Sequence, residues 1–272
     1  MKMVASAKLM KAQQAISGML PYQKALLNML NRFLLSIDKA SLSSSLLQNR
    51  DVKRVVVVAV ASNDSLCGAF NVNMAKLLGQ VVGEYESTLN RERVEVIPIG
   101  RKMEQASRKL NHEPADDLSR LIEHPDYANA SMLASGLMQR FERGDIDRVE
   151  ILYQHFKSTS AQVITRETLL PFPFDENKGG NENQQGEDEI DYIIEPSREE
   201  LLTRLLPKAV RLRLFTALLD SRAAEQAARL MAMQVATDNA DDLLWQLNID
   251  YNEQRQESIT NELLDIIGGS FK

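Results

Sequence analysis

The side chains able to do covalent, acid–base or metal chemistry are few and scattered. The three histidines, His112, His124 and His155, have no second ligand at metal-site spacing. Cys67 is the one cysteine, which excludes an internal disulfide framework and reads as a partly buried structural thiol. Asp116-Asp117 and Glu199-Glu200 are adjacent pairs, and neighbours on a helix point apart, so they make poor acid/base couples. The turn SNDSLCGAFN, Ser62 to Asn71, lies between a strand-like and a helix-like run, where phosphates often bind. It carries neither G-x-x-x-x-G-K-[ST] nor G-x-G-x-x-G. The residues therefore supply no catalytic set, no metal set and no cofactor cradle.

Composition points the same way. The 272 residues are 44% hydrophobic and 26% charged, enough for a domain core with long segments besides. No apolar run reaches the roughly eighteen residues that a membrane span needs. The net charge of -6 hides an asymmetry. From Met1 to Ile37 the charged residues are all basic: Lys2, Lys8, Lys11, Lys24 and Arg32. The segment 182–200 is strongly acidic. A basic helix suits an acidic partner or an anionic surface. Aromatics make up 6% of the chain and do not interleave these lysines, so base stacking on nucleic acid is a poor fit.

The elements that must position these residues fall into three segments: 1–45, 52–195 and 196–272. In the first, Leu26, Leu27, Leu30, Phe33, Leu34 and Ile37 recur at three-and-four spacing and predict a helix to about Ser41, with a kink or interruption at Pro21. In the second, VKRVVVVAV at 52–60 is a nearly continuous β-branched run, the pattern of a strand buried on both faces. Strands at 93–99, 148–156 and 161–169 and helices at 71–86, 102–110, 116–122 and 127–143 complete an alternation that predicts a small α/β sandwich with a mainly parallel sheet. DENKGGNENQQGEDE, 175–189, is polar and rich in Gly and Asn and reads as a mobile loop.

The third segment opens with a capping box, Ser197 and Glu200. Pro207 should kink or restart the helix. From Lys208 to Ile267 there is neither Pro nor Gly, room for a helix of about 90 Å, which Gly268 and Gly269 should stop. Ala240, Leu244, Leu247 and Tyr251 are spaced four, three, four, as in a coiled-coil seam. Ala223, Ala224, Ala227, Ala228 and Ala232 are small helix formers that let two helices approach; Leu230 adds a larger apolar residue within that run. Ile259, Leu263, Leu264, Ile266 and Ile267 are apolar residues that a free helix end would not show to water. The fold class that results is α/β plus long α: an antiparallel two-helix coiled coil formed by the two ends of the chain, with a small Rossmann-like α/β sandwich inserted between them.

Five stretches carry a family likeness. SRAAEQAARLMAMQVATDNADDLL (221–244) and YNEQRQESITNELLDIIGG (251–269) closely resemble two C-terminal blocks of the F-type ATP synthase gamma subunit family. MKMVASAKL, SNDSLCGAFN and YIIEPSREELLTRLLP resemble its N-terminal helix, its first turn and the start of its long helix. Two departures stand out. Family members carry about twenty residues before the segment matching Met1. They also usually have a basic residue and a glycine where Asp64 and Ser65 stand.

The resemblance implies a rotor shaft with no active site of its own. It implies a place inside three alpha and three beta subunits, with the foot on the epsilon subunit and the c-ring of the membrane sector, at the cytoplasmic face of a bacterial inner membrane. Proton flow would turn the c-ring and the shaft, driving the beta sites through their states. It further implies that Arg255, Gln256, Thr260 and Glu262 hydrogen-bond a loop of the beta subunit. Lys2, Lys8 and Lys11 would face an acidic beta segment. Ile259, Leu263, Ile266 and Ile267 would form a tip turning inside the sleeve. Ala223, Ala227, Leu230, Ala240, Leu244, Leu247 and Tyr251 would pack the coiled coil. Two other readings stand beside this one. A generic coiled-coil scaffold would explain the helices, and a small α/β enzyme with helical arms would explain the alternation but lacks a candidate polar cleft.

Overall fold

The computed structural model describes residues 2–35, 44–173 and 197–270. The expected loop at 175–189 lies outside the described residues. So do Ile37 and the expected end of the first helix.

Helix α1, Lys2–Leu35, continues without a break through Pro21. An interior proline removes one backbone hydrogen bond, and here the flanking turns carry the helix across, so the expected interruption does not occur. Its buried residues follow a seam: Ala5, Leu9, Ala12 and Ile16, then Leu26, Leu30, Phe33 and Leu34. The partner is α6, Arg198–Ser270, a single helix of 73 residues. Antiparallel packing sets the Lys208 ammonium over the Tyr22 ring, 5.5 Å from its centroid. Of the expected capping box the Ser197 half forms, with the Glu200 N–H donating to Ser197 Oγ, while the Glu200 carboxylate accepts from Arg204. Pro207 does not restart α6, and the helix continues through Gly268 and Gly269 to Ser270.

Between the two long helices lies a four-stranded sheet in the order β2-β1-β3-β4. β1 (Val55–Val60) pairs parallel with β2 (Val94–Ile99) and with β3 (Arg148–Phe156). β4 (Gln162–Leu170) returns antiparallel along β3. Helices α2 (Phe70–Thr88), α3 (Arg101–Lys109), α4 (Ser119–Glu123) and α5 (Tyr127–Glu142) provide the crossovers. The β1 strand shows why it is valine at nearly every position. Val55, Val57 and Ala59 pack with Met74, Leu78 and Val81 of α2 and Met103 of α3. Val56, Val58 and Val60 pack on the opposite face into the core shared with α1, α5 and α6. Alternate side chains of one strand thus fill two separate layers.

Helix α6 passes through three environments. Its N-terminal turns bury one face, at Leu202, Leu206 and Ala209. From Leu214 to Ala227 every residue is buried except half-buried Arg222, because α1 covers one side and the sandwich the other. From 235 to 267 every residue is exposed, a projection of about 50 Å.

Glycine positions give a stability test. At Gly18, Gly79 and Gly83 an added Cβ would meet nothing, so each Gly→Ala change should raise stability by about 0.5–1 kcal/mol through helix propensity. Gly100 has φ +99°, and a Cβ there would fall against the Ala61 carbonyl. Gly100→Ala should cost about 1–3 kcal/mol. Urea unfolding of the four variants checks the opposite signs.

Candidate functional site: the shaft and its joint to the sandwich

The parallel strands connect outward from β1 in both directions, so the chain reverses between β1 and β3. Open α/β sheets bind ligands in the crevice beyond the strand ends at such a point. Here α6 occupies it. Ala224 packs against Cys67 and Phe70, with Phe156 and Ala228 beside them. A Cβ on Gly68 would lie 3.8 Å from Ala232 Cβ. The turn itself is tied by Asn71, whose side-chain amide donates to the Asp64 carbonyl and to Cys67 Sγ, while its Oδ1 accepts from the Ser62 N–H. Cys67 is buried, as a structural thiol would be.

Charged side chains on the buried stretch of α6 bolt the shaft to the sandwich. Asp220 accepts the Phe156 N–H at 2.9 Å and pairs with His155 Nδ1. Arg222 donates to the Ile122 carbonyl at 2.9 Å. Glu225 holds Arg229, which also reaches the Ser65 carbonyl. Lower down, Arg213 donates twice to Glu167, which also accepts from the Tyr153 hydroxyl, and Arg211 donates to Ser135. Burial pushes the Asp220 and Glu225 carboxyls above the usual carboxylate range, although His155 opposes the shift at the first and Arg229 at the second. Burial also lowers Arg222 and raises Tyr153, whose neighbour Glu167 adds to the effect. Charged groups at this depth persist because each meets a partner.

None of these joint residues stood out in the sequence. The available signal was charge inside an alanine-rich helical run, at Asp220, Arg222, Glu225 and Arg229, but which carbonyls they reach depends on the docked sandwich. Among the described residues no group of histidine, cysteine and carboxylate side chains is arranged to hold a metal. His112 pairs with Glu86 and His155 with Asp220, far from forming one cluster.

Residues expected from the sequence fall into separate groups. Ala223 and Ala227 are fully buried and Leu230 is half-buried. Ala240, Leu244, Leu247 and Tyr251 are exposed, so the seam expected there does not close among the described residues. Ile259, Leu263, Ile266 and Ile267 are exposed on the same projection. Arg255, Gln256, Thr260 and Glu262 lie among them, also exposed, with Thr260 Oγ1 donating back to the Gln256 carbonyl. Lys2, Lys8 and Lys11 are exposed on the first turns of α1, next to exposed Met3 and Val4.

A family model described as ATP synthase matches residues 1–271. The chain is 49% identical over 278 residues to the ATP synthase gamma chain of Bacteroides thetaiotaomicron, covering 100% of this chain and 92% of the relative. It is 50% identical to that of Phocaeicola vulgatus, covering 99% and 91%. The chain belongs to the ATP synthase gamma chain family. Solved structures share the gamma-chain fold at lower identity. A chain of the Tetrahymena thermophila mitochondrial ATP synthase central stalk/c-ring structure superimposes with a TM-score of 0.58 at 22% identity, covering 87% of this chain and 97% of that one. A chain of the Euglena gracilis mitochondrial enzyme gives 0.54 at 19%, covering 97% and 93%. As a gamma-family member, the chain is a part of an ATP synthase.

Two measurements test the joint. Asp220→Ala removes the acceptor of the Phe156 N–H and should cost about 1–3 kcal/mol in urea unfolding. Glu225 has a raised native pKa, so its stabilising proton uptake is complete below the unfolded value of 4.5 and is lost as pH rises through the native value. The stability of the natural chain relative to Glu225→Gln should therefore grow as pH falls from 7 to 4; a flat difference would contradict the burial.

Proposed function

We propose that the chain is the central rotor shaft of a proton-translocating F-type ATP synthase. It is a non-catalytic subunit that carries c-ring rotation to the catalytic sites of the beta subunits. Membership in the gamma-chain family supports this reading, and one structural observation carries it. A helix joined rigidly to a folded foot projects about 50 Å with Leu244, Leu247, Tyr251, Ile259, Leu263 and Ile266 all exposed. Apolar residues all along a projecting helix require a cover, and a ring of three alpha and three beta subunits would be that sleeve. The foot would rest on the epsilon subunit and the c-ring. The assembly would lie at the cytoplasmic face of a bacterial inner membrane; among the described residues no helix is long and apolar enough to cross it.

The segments 1–45 and 196–272 serve as the shaft and 52–195 as the foot. Torque would enter through the foot and pass into α6 at the joint, where Asp220, Arg222, Glu225 and Arg229 keep the helix from turning against the sandwich. It would leave at the projection. Arg255, Gln256, Thr260 and Glu262 would hydrogen-bond a beta-subunit loop, with the Arg255 guanidinium suited to grip a carboxylate in bidentate fashion. Lys2, Lys8 and Lys11 would face an acidic beta segment, each worth little alone. Ala240, Leu244, Leu247 and Tyr251, bare in this chain, would be covered within the sleeve. A scaffold protein would account for the helices but not for 50% identity over 91% of a gamma chain's length.

The test is coupled turnover in the assembled complex. Arg255→Ala or Gln256→Ala should lower ATP synthesis and hydrolysis, for Arg255 by about tenfold, the equivalent of one charge-assisted hydrogen bond of about 1.5 kcal/mol. Unchanged rates in both directions would remove these residues from the coupling role. Failure of the chain to assemble with alpha and beta subunits would end the shaft reading.

A further inference from the structure

The feature that the shaft leaves unused is a groove along the free edge of β2, on the side of the sandwich away from β4. Strand β2 is an edge of the sheet. The Ile99 carbonyl accepts from the Ala61 N–H and so faces β1. The alternate residues Val94, Val96 and Pro98 therefore direct their backbone groups outward. The Val94 N–H is already bonded to the Arg91 carbonyl, and Pro98 has no N–H. Among the described residues what remains without a backbone partner on this edge, whose outward residues are themselves buried, is one donor, at Val96, and three carbonyl acceptors. The groove beside it has a volume of about 1160 Å³, above the usual small-molecule range of about 300–1,000 Å³.

Its walls are apolar and its rim is acidic. Ile97, Leu118 and Leu121 line the inside, and α5 contributes exposed Met132, half-buried Leu133 and Gly136. Gly136 sits inside α5, and a Cβ there would meet nothing. A mid-helix glycine costs about 0.5–1 kcal/mol relative to alanine, and this one leaves the wall open to a second backbone. Six carboxylates and two guanidiniums line the groove. Arg140 is already held by Glu95 at 3.0 Å. Of the remaining five, Glu113 lies 3.9 Å from Arg108, and Arg120 is the other guanidinium lining the groove beside Asp116, Asp117, Glu123 and Asp126, so the rim keeps a net negative charge.

We propose that this groove takes an extended, Lys- or Arg-bearing segment of another protein, added as a strand to β2. Strand addition supplies backbone N–H donors to an edge with three acceptors. Basic side chains complement the rim, and alternate apolar side chains fit the wall at Ile97 and Leu133. The same rim repels nucleic acid and anionic lipid.

The experiment uses the full chain and two acetylated, amidated heptapeptides, one alternating lysine with valine and the other glutamate with valine. The lysine peptide should bind and slow hydrogen exchange of the Val96 amide about tenfold or more. Glu113→Gln with Asp116→Asn should weaken binding about tenfold, equivalent to about 1.4 kcal/mol. Gly136→Trp should abolish binding while leaving the urea midpoint within the range of other surface changes; a shifted midpoint passes the same test to Gly136→Leu. Equal binding of the glutamate peptide, no binding of either peptide, or binding that leaves Val96 exchange unchanged would overturn the proposal.

Discussion

The burial of α6 from Leu214 to Ala227 is the constraint on which the rest of the molecule depends. A helix at the surface of a domain buries one stripe. This one is closed in by α1 on one side and by β3, β4, α5 and the turn after β1 on the other, so it is at once the core of the foot and the lower part of the shaft. Rotation of α6 against the sandwich would expose Leu214, Leu218 and Ala223 to water and strip the partners from Asp220 and Arg222. Apolar burial resists this at about 25 cal/mol per Å², and the buried charges resist it further, because an unpaired charge at that depth costs several kcal/mol. The joint is stiff for reasons of packing and electrostatics together.

The same constraint explains what became of the α/β crevice. A doubly wound sheet offers its switch point as a ligand site. In this fold the slot between the ends of β1 and β3 holds Ala224, Ala228 and Asp220 of the shaft, and the Phe156 N–H at the end of β3 bonds to Asp220. The small residues of the 223–232 run thus serve two contacts. Ala223 packs into the core shared with α1, and Ala224 and Ala228 let the helix approach the Cys67 turn. An architecture that elsewhere holds a nucleotide here grips a helix.

Above the joint the physics changes. Residues 235–266 keep helical geometry while exposed among the described residues, supported by strong helix formers and by local side-chain bonds such as Gln234 to Asp238 and Thr260 to Gln256. The exposed leucines and isoleucines there are a deficit that only a partner surface can remove. Two regimes on one continuous helix, buried below and bare above, are what a torque-carrying element needs: fixed at one end, and dependent on its surroundings at the other.

Local rules made much of this legible before any coordinates. Continuous valines predicted a strand buried on both faces, and β1 is buried on both. The Ser197 cap forms its bond with the Glu200 N–H, and strand β3 spans Arg148–Phe156 as its pattern indicated. These features depend on nearest neighbours and on periodicity, which the order of residues contains. Neither Pro21 nor Pro207 breaks its helix, because tertiary packing holds a helix across a single missing hydrogen bond. The face at Ala240, Leu244, Leu247 and Tyr251 is exposed among the described residues, because periodicity marks an apolar face without saying which chain covers it. The joint was hidden for a related reason. Asp220, Arg222 and Arg229 find their partners at Phe156, Ile122 and Ser65, and separations of 64, 100 and 164 residues are set only when the sheet docks on the helix. The sequence by itself determined the elements and their apolar faces; the tertiary structure alone decided which charges could be buried, because burial of a charge is tolerable only where the fold delivers a partner.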